Sequence, residues 1–322
     1  MVLRARSVGA VSRTAVSWRV WGTAAICAAA IVGLRGRMSG RADDANAFRR
    51  PTVTTSGSST NGRASGSLLS LGASDAGPVE VVRELTAAER EALEIEEARA
   101  LIARAAESWS SVEDYVCDFH KQERIDGKLM PAGLMRLKAR AKPSSLYFKF
   151  VSPNKGREAI FVAGRHDGKV LAHDVGVLKL LGGTMRLDPK GSMAMTDNRH
   201  PITEAGLGEL IATVSERWRV ELSPEVSDIT IEPGTRCCGR SCTMVDSTHP
   251  VRRADFFFYK VRLFFDDELG LPIRYEAYDW PKPDGTPGDL LEEYTYENLE
   301  TNVGLSDIDF DPANPAYSFG RF

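Results

Sequence analysis

The sequence lacks the short motifs that mark several common enzyme classes. It contains no His-Glu-x-x-His, no Gly-x-Ser-x-Gly, and no glycine-rich phosphate loop ending in Lys followed by Ser or Thr. These absences exclude the zinc peptidase, serine hydrolase and P-loop patterns, because each needs its residues at that spacing. The five histidines are scattered along the chain, and we interpret them as hydrogen-bonding residues. We therefore expect neither enzyme activity nor a cofactor.

A complete metal-binding loop is also missing. Asp307, Asp309 and Asp311 resemble the start of a calcium loop. However, Pro312 stands where that loop needs Gly, and Ser318 stands where it needs Glu. The apolar residues between the three acids indicate a strand with one solvated acidic face, so we expect no metal site.

Clustered positive charge is absent from most of the chain. The whole sequence carries a net charge of −3, while its first fifty residues hold nine Arg against two Asp. The remaining residues therefore carry a net charge of −10. Binding to nucleic acid phosphates needs clustered Lys and Arg, so this balance argues against a nucleic acid partner.

The apolar run from Val20 to Leu34 is shorter than the roughly 20 residues that a membrane-spanning helix needs. Four arginines precede this run, and a basic segment before a short apolar run is typical of an export signal. Residues 1–37 are predicted to form a signal peptide or an uncleaved N-terminal anchor, with an internal helix as a third alternative. We therefore expect an exported protein of the periplasm or cell envelope, anchored to the inner membrane if the segment is not cleaved.

Residues 38–83 form a low-complexity stretch rich in Ser, Thr and Gly. Such a segment buries too little apolar surface to offset its chain entropy, so we predict a disordered tether. Order is expected to begin near Thr86, where Thr-Ala-Ala-Glu matches a helix capping box. Residues 84–322 are thus predicted to form the folded domain.

Two amphipathic helices are predicted from apolar residues that recur at helical spacing. The first stripe runs from Ala98 to Trp109, and the second runs from Leu207 to Trp218, with Thr203 as the expected cap. Each stripe ends in a Trp. Two such stripes are typical of helices that cover one face of a sheet.

A period of two residues indicates strands in the rest of the domain. The most prominent stretch is the aromatic hairpin at 256–280, whose turn contains Asp266, Asp267 and Gly270. Short turns join antiparallel neighbours, so we expect an α+β fold with a half-open antiparallel β-barrel and helices over its concave face. Roughly ten strands are predicted, the others being 115–124, 134–141, 146–151, 158–162, 169–173, 229–231, 241–246 and 290–299.

The large apolar side chains on these strands form the predicted ligand-binding face. Three methionines in a long segment between strands are expected to line its rim, because thioether side chains repack around varied apolar shapes. A register error of one residue would turn any of these strands outward. The predicted ligand-binding residues are Phe148, Phe150, Phe161, Leu171, Met185, Met193, Met195, Phe257, Tyr259, Leu263 and Phe265.

A cluster of cysteines predicts a disulfide. If residues 239–240 form a two-residue hairpin loop, Cys237 faces Cys242 in a closely spaced strand pair. A zinc site with His249 is the alternative, although no second closely spaced pair of ligands is present. An exported protein meets an oxidising compartment, which favours the Cys237–Cys242 disulfide. Cys117 is predicted either to pair with Cys238 or to be a buried free thiol.

From about residue 94 to residue 319 the chain resembles a bacterial envelope family known as domain of unknown function fifteen seventy-one. The resemblance rests on several blocks that occur in the same order. They are Gly168-Lys-Val-Leu-Ala-His173, Gly183-Thr-Met-Arg-Leu-Asp-Pro189, Ala194-Met195, Arg199-His-Pro-Ile-Thr-Glu-Ala-Gly206, Leu271-Pro-Ile-Arg274, Tyr278-Asp-Trp-Pro281, Glu292-Glu-Tyr-Thr-Tyr296 and Asn302-Val-Gly-Leu-Ser-Asp-Ile-Asp-Phe310.

A more distant resemblance links the chain to periplasmic lipoprotein carriers of the Lol type. Phe265-Asp266, Leu269-Gly-Leu-Pro-Ile273 and a closing Asp-x-x-Phe carry this similarity. It implies an unclosed antiparallel barrel whose helices cover an apolar cavity. The extra tether and the longer 164–195 segment depart from that pattern, so the carriers' cargo does not transfer.

Two functions are consistent with these features. The first is non-enzymatic binding of a lipid or lipoprotein acyl chain, or of another amphiphile, in a concave apolar cavity. The alternative is an envelope sensor or scaffold that binds another protein, with the apolar face serving as ordinary core.

Overall fold

The computed structural model describes residues 84–174 and 183–320. The predicted signal or anchor segment at 1–37 and the predicted tether at 38–83 lie outside these residues. Within the described ranges, no helix is both long enough and apolar enough to cross a membrane.

The fold is mostly β and consists of one large antiparallel sheet of twelve strands. Its strands pair in the order β7-β6-β5-β4-β3-β1-β12-β11-β10-β9-β8, and β2 pairs with β1 beside this path. The strands are β1 (Asp114–Ile125), β2 (Lys128–Leu129), β3 (Gly133–Arg140), β4 (Ser145–Ser152), β5 (Glu158–Val162), β6 (Val170–His173), β7 (Thr184–Leu187), β8 (Asp228–Cys237), β9 (Arg240–Thr248), β10 (Lys260–Asp266), β11 (Pro272–Tyr278) and β12 (Leu290–Thr301).

The sheet confirms the antiparallel prediction but is not closed. Every strand pair is antiparallel, and most neighbours are consecutive in the sequence, as short turns require. The exception is β1, which pairs with β12 from the far end of the domain. The end strands β7 and β8 pair with no further strand among the described residues, so the structure does not extend to a barrel.

The hairpin of β10 and β11 forms at the predicted turn. The Asp266 carboxylate accepts the backbone N–H groups of Glu268 and Leu269, each at 2.9 Å. Gly270 follows with φ +67°, a left-handed conformation that favours glycine. Pro272 begins β11, where a missing N–H donor is tolerated.

Two long helices and one short one accompany the sheet. The first, α1 (Ala87–Ser110), starts at the predicted capping box, in which Thr86 and Glu89 bond reciprocally. A single turn, α2 (Ser192–Met195), precedes α3 (Leu207–Glu221). The cap of α3 is Gly206 and not Thr203, because Thr203 lies in a separate 3₁₀ turn.

Gly206 occupies a position that no other residue fits easily. Its φ is +101°, and an added Cβ would lie 3.0 Å from the Tyr115 hydroxyl oxygen. That hydroxyl accepts the backbone N–H of Leu207 at 3.1 Å, in place of the side-chain cap that Gly206 cannot provide. The start of α3 is thereby fastened to β1.

The described residues form two apolar clusters. The larger packs α1 and α3 on the side of the sheet that carries Leu263, and we call this side the helix-covered face; the same cluster also includes Phe264 and Met244, which alternate with Leu263 and Val245. The smaller joins residues of β4, β5 and β6 to the C-terminal segment. Phe310 and Tyr317 close the smaller cluster, and the Tyr317 ring stacks on Tyr147 at 4.0 Å.

The acidic residues near the C-terminus do not form the predicted strand. Asp307–Phe310 is a 3₁₀ turn in which Phe310 is buried and Ile308 is exposed. Asp307 pairs with Arg140 at 2.7 Å, and Asp309 pairs with Lys138 at 2.7 Å. These carboxylates therefore fasten the C-terminal segment to β3.

Candidate functional site

The helix-covered face is built from side chains that strand pairing places side by side. Phe148 on β4 lies opposite Leu137 on β3, which lies opposite Cys117 on β1. Across the sheet, Tyr275 on β11 lies opposite Leu263 on β10. Because residues opposite each other in a ladder share a face, these side chains form one continuous apolar surface.

The two long helices fill this surface. Five residues of α1 and four of α3 are buried in the same cluster, including Trp218, whose ring centroid lies 6.5 Å from that of Phe265. The helices also approach each other closely, since an added Cβ on Gly208 would lie 2.7 Å from the Trp109 ring. The buried helical residues are Ile95, Ala98, Leu101, Ile102, Ala105, Leu207, Ile211, Val214 and Trp218.

Part of the predicted ligand-binding set lies on this face. Leu263 and Phe265 are buried beneath the helices together with Phe148, and Phe150 packs against them in part. Phe161 is buried opposite Leu146 of the same face. In this structure Phe148, Leu263 and Phe265 belong to the same core cluster as the helices.

Leu171 lies on the other face, contrary to the prediction. The pairing of β5 with β6 sets Leu171 opposite Ile160 and in the cluster with Tyr147 and Phe310. Its neighbour Ala172 points to the helix-covered face instead. Alternate residues of a strand face opposite sides, so a shift of one residue in the predicted register accounts for the error.

The predicted aromatic strand also starts later than expected. Phe257 and Tyr259 precede β10, and Phe257 is 46% exposed beneath the guanidinium of Arg217. Before β10, the Phe256 ring stacks on His249 at 4.0 Å. Phe257 and Tyr259 are not among the described residues of the larger apolar cluster.

The three predicted rim methionines differ in their positions. Met185 on β7 pairs with Ala172 and is half-buried at the edge of the helix-covered face. Met193 is 64% exposed, whereas Met195 is half-buried, and both lie in α2. A role for these residues as an adaptable rim stays a prediction.

A buried polar network adjoins the apolar part of the face, and sequence analysis did not identify it. The Glu292 carboxylate on β12 accepts hydrogen bonds from Arg199 Nε at 2.8 Å and from the Tyr275 hydroxyl at 3.1 Å. His200 Nε2 lies 2.9 Å from the same carboxylate. Glu292 is thus held by three groups, two of which come from the segment before α3.

A second carboxylate, Glu123 on β1, lies opposite Glu292 in the ladder. It accepts the Tyr294 hydroxyl at 2.6 Å, the Lys121 ammonium at 3.0 Å and the backbone N–H of Arg199 at 2.9 Å. Two buried carboxylates are therefore paired with Lys121, Arg199 and His200. Buried charges require such partners, because an unpaired buried charge is costly.

The network changes the protonation of His200. Burial disfavours the imidazolium, but the hydrogen bond and charge of Glu292 outweigh burial and raise the pKa of His200. Burial likewise disfavours the Glu292 carboxylate, yet His200 and Arg199 hold the pKa of Glu292 below its usual value. Both shifts indicate an ion pair that ties the segment before α3 to the sheet.

The sequence did contain a signal for this network. Arg199 and His200 open one of the blocks on which the family resemblance rests, and Glu292 opens another. Because these blocks are about ninety residues apart, only the folded chain shows that they meet.

The predicted Cys237–Cys242 disulfide is absent. All four described cysteines are free thiols, and the hairpin register differs from the prediction by one residue. The turn residues are Cys238 and Gly239, so Cys237 lies opposite Arg240. Across the described ranges, no cluster of three or more His, Cys, Asp or Glu side chains is arranged to hold a metal ion.

A cleft of about 260 Å³ lies between α1 and the β10–β11 turn. Leu101 and Phe265 line its apolar side, while Arg104, Asp266 and Glu268 contribute polar groups. This mixed lining does not suit an acyl chain, so the cleft marks a place where α1 is incompletely packed against the sheet.

Comparison with known proteins places the chain in one family. A family profile described as "Protein of unknown function (DUF1571)" matches residues 112–319. A search of curated proteins finds no match.

Solved structures show weaker similarities. The MucA/MucB complex of Pseudomonas aeruginosa is 15% identical, with 67% of this chain and 60% of that chain covered, at a TM-score of 0.38. Lipoprotein LppX of Mycobacterium tuberculosis is 11% identical, with 66% of this chain and 99% of that chain covered, at a TM-score of 0.38. A LolA superfamily protein of Nitrosomonas europaea is 13% identical, with 66% of this chain and 97% of that chain covered, at a TM-score of 0.26. The chain spans less than two thirds of the MucB chains, 65% of one and 60% of another.

Proposed function

Because the chain belongs to the DUF1571 family, whose description assigns no activity, we propose a function from the geometry of the helix-covered face. The protein is an exported, non-enzymatic binding protein of the cell envelope. It holds the acyl chain of a lipid, lipoprotein or other amphiphile against this face when α1 moves aside. Export itself stays a prediction, since the segment that predicts it lies outside the described residues.

The attachment of α1 is the observation that carries this proposal. Within the described chain only three residues precede α1, and its other end continues directly into β1, so one connection joins α1 to the sheet. Two of its five buried residues, Ala98 and Ala105, present only a methyl group each. Burial of apolar surface contributes about 25 cal/mol per Å², so a stripe with two alanines is held less strongly than one of leucines.

An acyl chain could replace this stripe without changing the rest of the core. The surface beneath α1 consists of large apolar side chains, and an alkyl chain offers the same kind of contact. The helix α3 is held more firmly, since Tyr115 caps it and the Glu292 network fixes the segment before it. The proposal therefore assigns the role of a lid to α1 alone.

A disulfide that locks α1 tests the proposal. An added Cβ on Gly270 would lie 3.7 Å from the Ser108 Cβ, within the usual range of about 3.5–4.5 Å for disulfides. The double variant Ser108→Cys/Gly270→Cys should bind a fluorescent fatty acid saturably when reduced and lose this binding when oxidised. A side chain on Gly270 costs about 1–2 kcal/mol at its positive φ, so folding of the variant is checked by thermal melting.

The reduced double variant is the matched control, because both samples carry the same substitutions. Oxidant-treated wild-type protein controls for the native thiols. Ser108 lies near the end of α1 that continues into β1, so equal binding by the locked and reduced forms would refute a movement of the whole helix away from the sheet. Absence of saturable binding by wild-type protein would refute the amphiphile proposal itself.

A second candidate function, binding of another envelope protein, is favoured by an exposed surface. The Arg217 guanidinium lies 4.2 Å from the Phe257 ring, and Arg252 lies 4.8 Å from the Trp280 ring. Aromatic and Arg side chains are enriched at protein interfaces. We call these two pairs the Arg–aromatic surface, which consists of Arg217, Arg252, Phe257 and Trp280.

Native mass spectrometry of gently purified protein separates the two candidates. Bound lipid supports the amphiphile proposal, whereas a stoichiometric protein partner supports the second candidate. In the latter case Phe257→Ala should release the partner, while Val303→Ala, at a similarly exposed position outside this surface, should retain it. Loss of the partner from both variants would contradict the assignment to this surface.

A further inference from the structure

The tip of the β8–β9 hairpin brings three thiols together. Cys238 and Gly239 form the turn with φ of 53° and 78°. Cys237 and Cys242 are buried beside it, while Cys238 is half-buried at the tip. The Sγ atoms of Cys237 and Cys238 are 3.6 Å apart. One reachable sulfur therefore contacts one sheltered sulfur.

A hydrogen bond from Cys237 lowers the pKa of Cys238 and favours its thiolate. Burial and the carboxylates of Glu297 and Glu293 oppose this shift, while the cation of Arg274 supports it. The pKa of Cys237 is raised by its hydrogen bonds to Cys238 and Cys242 and by burial. Thiolates are the nucleophilic form of cysteine, so Cys238 is the attacking sulfur of the pair.

Arg274 is the cation that acts on Cys238. It is 7% exposed, and its Nη1 atom makes no hydrogen bond within the described part of the chain. Glu276 accepts Arg274 Nε at 2.7 Å, and Glu293 lies 3.3 Å from Nη2, so two carboxylates pair with this guanidinium.

Cys117 shows the contrasting behaviour. It is buried under the helices, and burial, followed by the charge of Asp118, raises its pKa well above the usual value. No second cysteine lies beside it in the sequence. Cys117 is therefore an internal reference for an unreactive thiol in the same protein.

We propose that Cys238 is a reactive thiol that exchanges with small-molecule disulfides, and that Cys237 is its resolving thiol. The Cys238 thiolate attacks one sulfur of a disulfide R–S–S–R, forming a Cys238–S–S–R bond and expelling R–S⁻. Cys237 then loses its proton to water and attacks Cys238 Sγ, expelling a second R–S⁻. Two protein thiols are oxidised to one disulfide, and the external disulfide is reduced to two thiols.

The second step joins two adjacent residues. The two sulfurs must approach from 3.6 Å to about 2.05 Å. Adjacent Cα atoms are about 3.8 Å apart, below the usual disulfide range of about 4.4–6.8 Å, so the turn backbone must adjust together with the side chains and the bond formed is strained. This site lies at the tip of β8 and β9, where Cys237 and Cys242 belong to the larger apolar cluster. The proposed thiol exchange uses none of the residues that are predicted to bind an amphiphile.

Treatment of the full chain with oxidised glutathione tests the proposal. Trypsin cleaves after Arg236 and Arg240, so Cys237 and Cys238 share one tetrapeptide and Cys242 lies in the next peptide. After acid quenching, mass spectrometry should show that tetrapeptide lighter by two hydrogens. In Cys237→Ser the same treatment should leave a stable glutathione adduct on Cys238, because the resolving sulfur is gone.

Three results would overturn the assignment. They are a persistent glutathione adduct on wild-type Cys238, a crosslink that joins the tetrapeptide to the Cys242 peptide, and no modification of Cys238.

Alkylation rates of the wild-type thiols give a second measurement, which needs no variant. Cys238 should react at least about tenfold faster than Cys117 at pH 7, since each unit of pKa changes the thiolate fraction about tenfold. Equal rates would also refute the proposal, and Cys117→Ser should leave the tetrapeptide result unchanged.

Discussion

Glu292 shows at the scale of single residues how a buried charge organises this protein. Its carboxylate is almost fully enclosed and is contacted by Arg199, His200 and Tyr275. Removing one partner of such a group costs more than forming the pair contributes, because the other charge stays buried without compensation. Two predictions follow from this asymmetry.

Replacing Glu292 by Gln should strongly destabilise the fold. The amide keeps the size of the side chain but leaves Arg199 without its buried counter-charge, so the free energy of unfolding should fall by about 3 kcal/mol. Urea denaturation measures the change. The control is Glu216→Gln on α3, whose exposed carboxylate pairs with Arg219 and whose loss should leave the midpoint unchanged. A similar midpoint for both variants would contradict the role assigned to Glu292.

The raised pKa of His200 predicts how the stability of the fold depends on pH. Its pKa in the folded protein lies above the unfolded value of about 6.5, so protonation favours folding. This contribution is fully present below that unfolded value and is lost as pH rises through the folded pKa. The stability difference between wild type and His200→Gln should therefore shrink as pH rises above about 6.5. A difference that stays constant with pH would show that His200 does not titrate in this network.

At the scale of helices and strands, the packing of α1, α3 and the C-terminal segment determines which part of the chain covers each face of the sheet. The end of α1 and the start of α3 meet where the Trp109 ring lies over Gly208, and the Tyr115 hydroxyl caps α3. On the other face, the C-terminal segment covers β4 and β5, where Ser318 N–H binds the buried Glu158 at 2.6 Å. Each face of the sheet is thus covered by a different part of the chain.

Gly208→Ala measures how closely the two helices approach. Alanine favours an isolated helix over glycine by about 1 kcal/mol, but its Cβ would lie 2.7 Å from the Trp109 ring. Overpacking of this kind costs about 1–3 kcal/mol, so the variant should be less stable than wild type. Combining it with Trp109→Phe should recover part of the loss, because a smaller ring makes room for the methyl group. A more stable single variant would show that the helices separate easily at this point.

The molecule as a whole combines a firmly held sheet and α3 with a helix attached by one connection. If α1 is the lid, binding of a fatty acid should expose its backbone amides to solvent. Hydrogen exchange of α1 should then become faster in the presence of fatty acid, while β1 and β12, which are paired on both sides, should keep their protection. Unchanged exchange in α1 under saturating fatty acid would place any bound chain elsewhere.

Short-range patterns in the sequence determined the local elements. The capping box at Thr86, the stripe ending in Trp218 and the turn at Gly270 all involve residues within a few positions of one another, and each is present in the structure. The period of two likewise predicted an antiparallel sheet with short turns. Local sterics and hydrogen bonding act over such distances, so the sequence alone is sufficient for these features.

Tertiary structure decided which residues meet. Leu171 faces away from Phe148 because a shift of one residue reverses a strand. Cys237 lies opposite Arg240 because the turn is formed by Cys238 and Gly239, which changes the partner of Cys237 by two positions. The network joins Glu123 and Arg199 to Glu292 across more than ninety residues, through the pairing of β1 with β12. No local periodicity specifies such contacts, since they depend on strand order and on the packing of α1 and α3 over one face. The same packing decided that α1 and α3 cover the face on which the sequence had predicted a ligand.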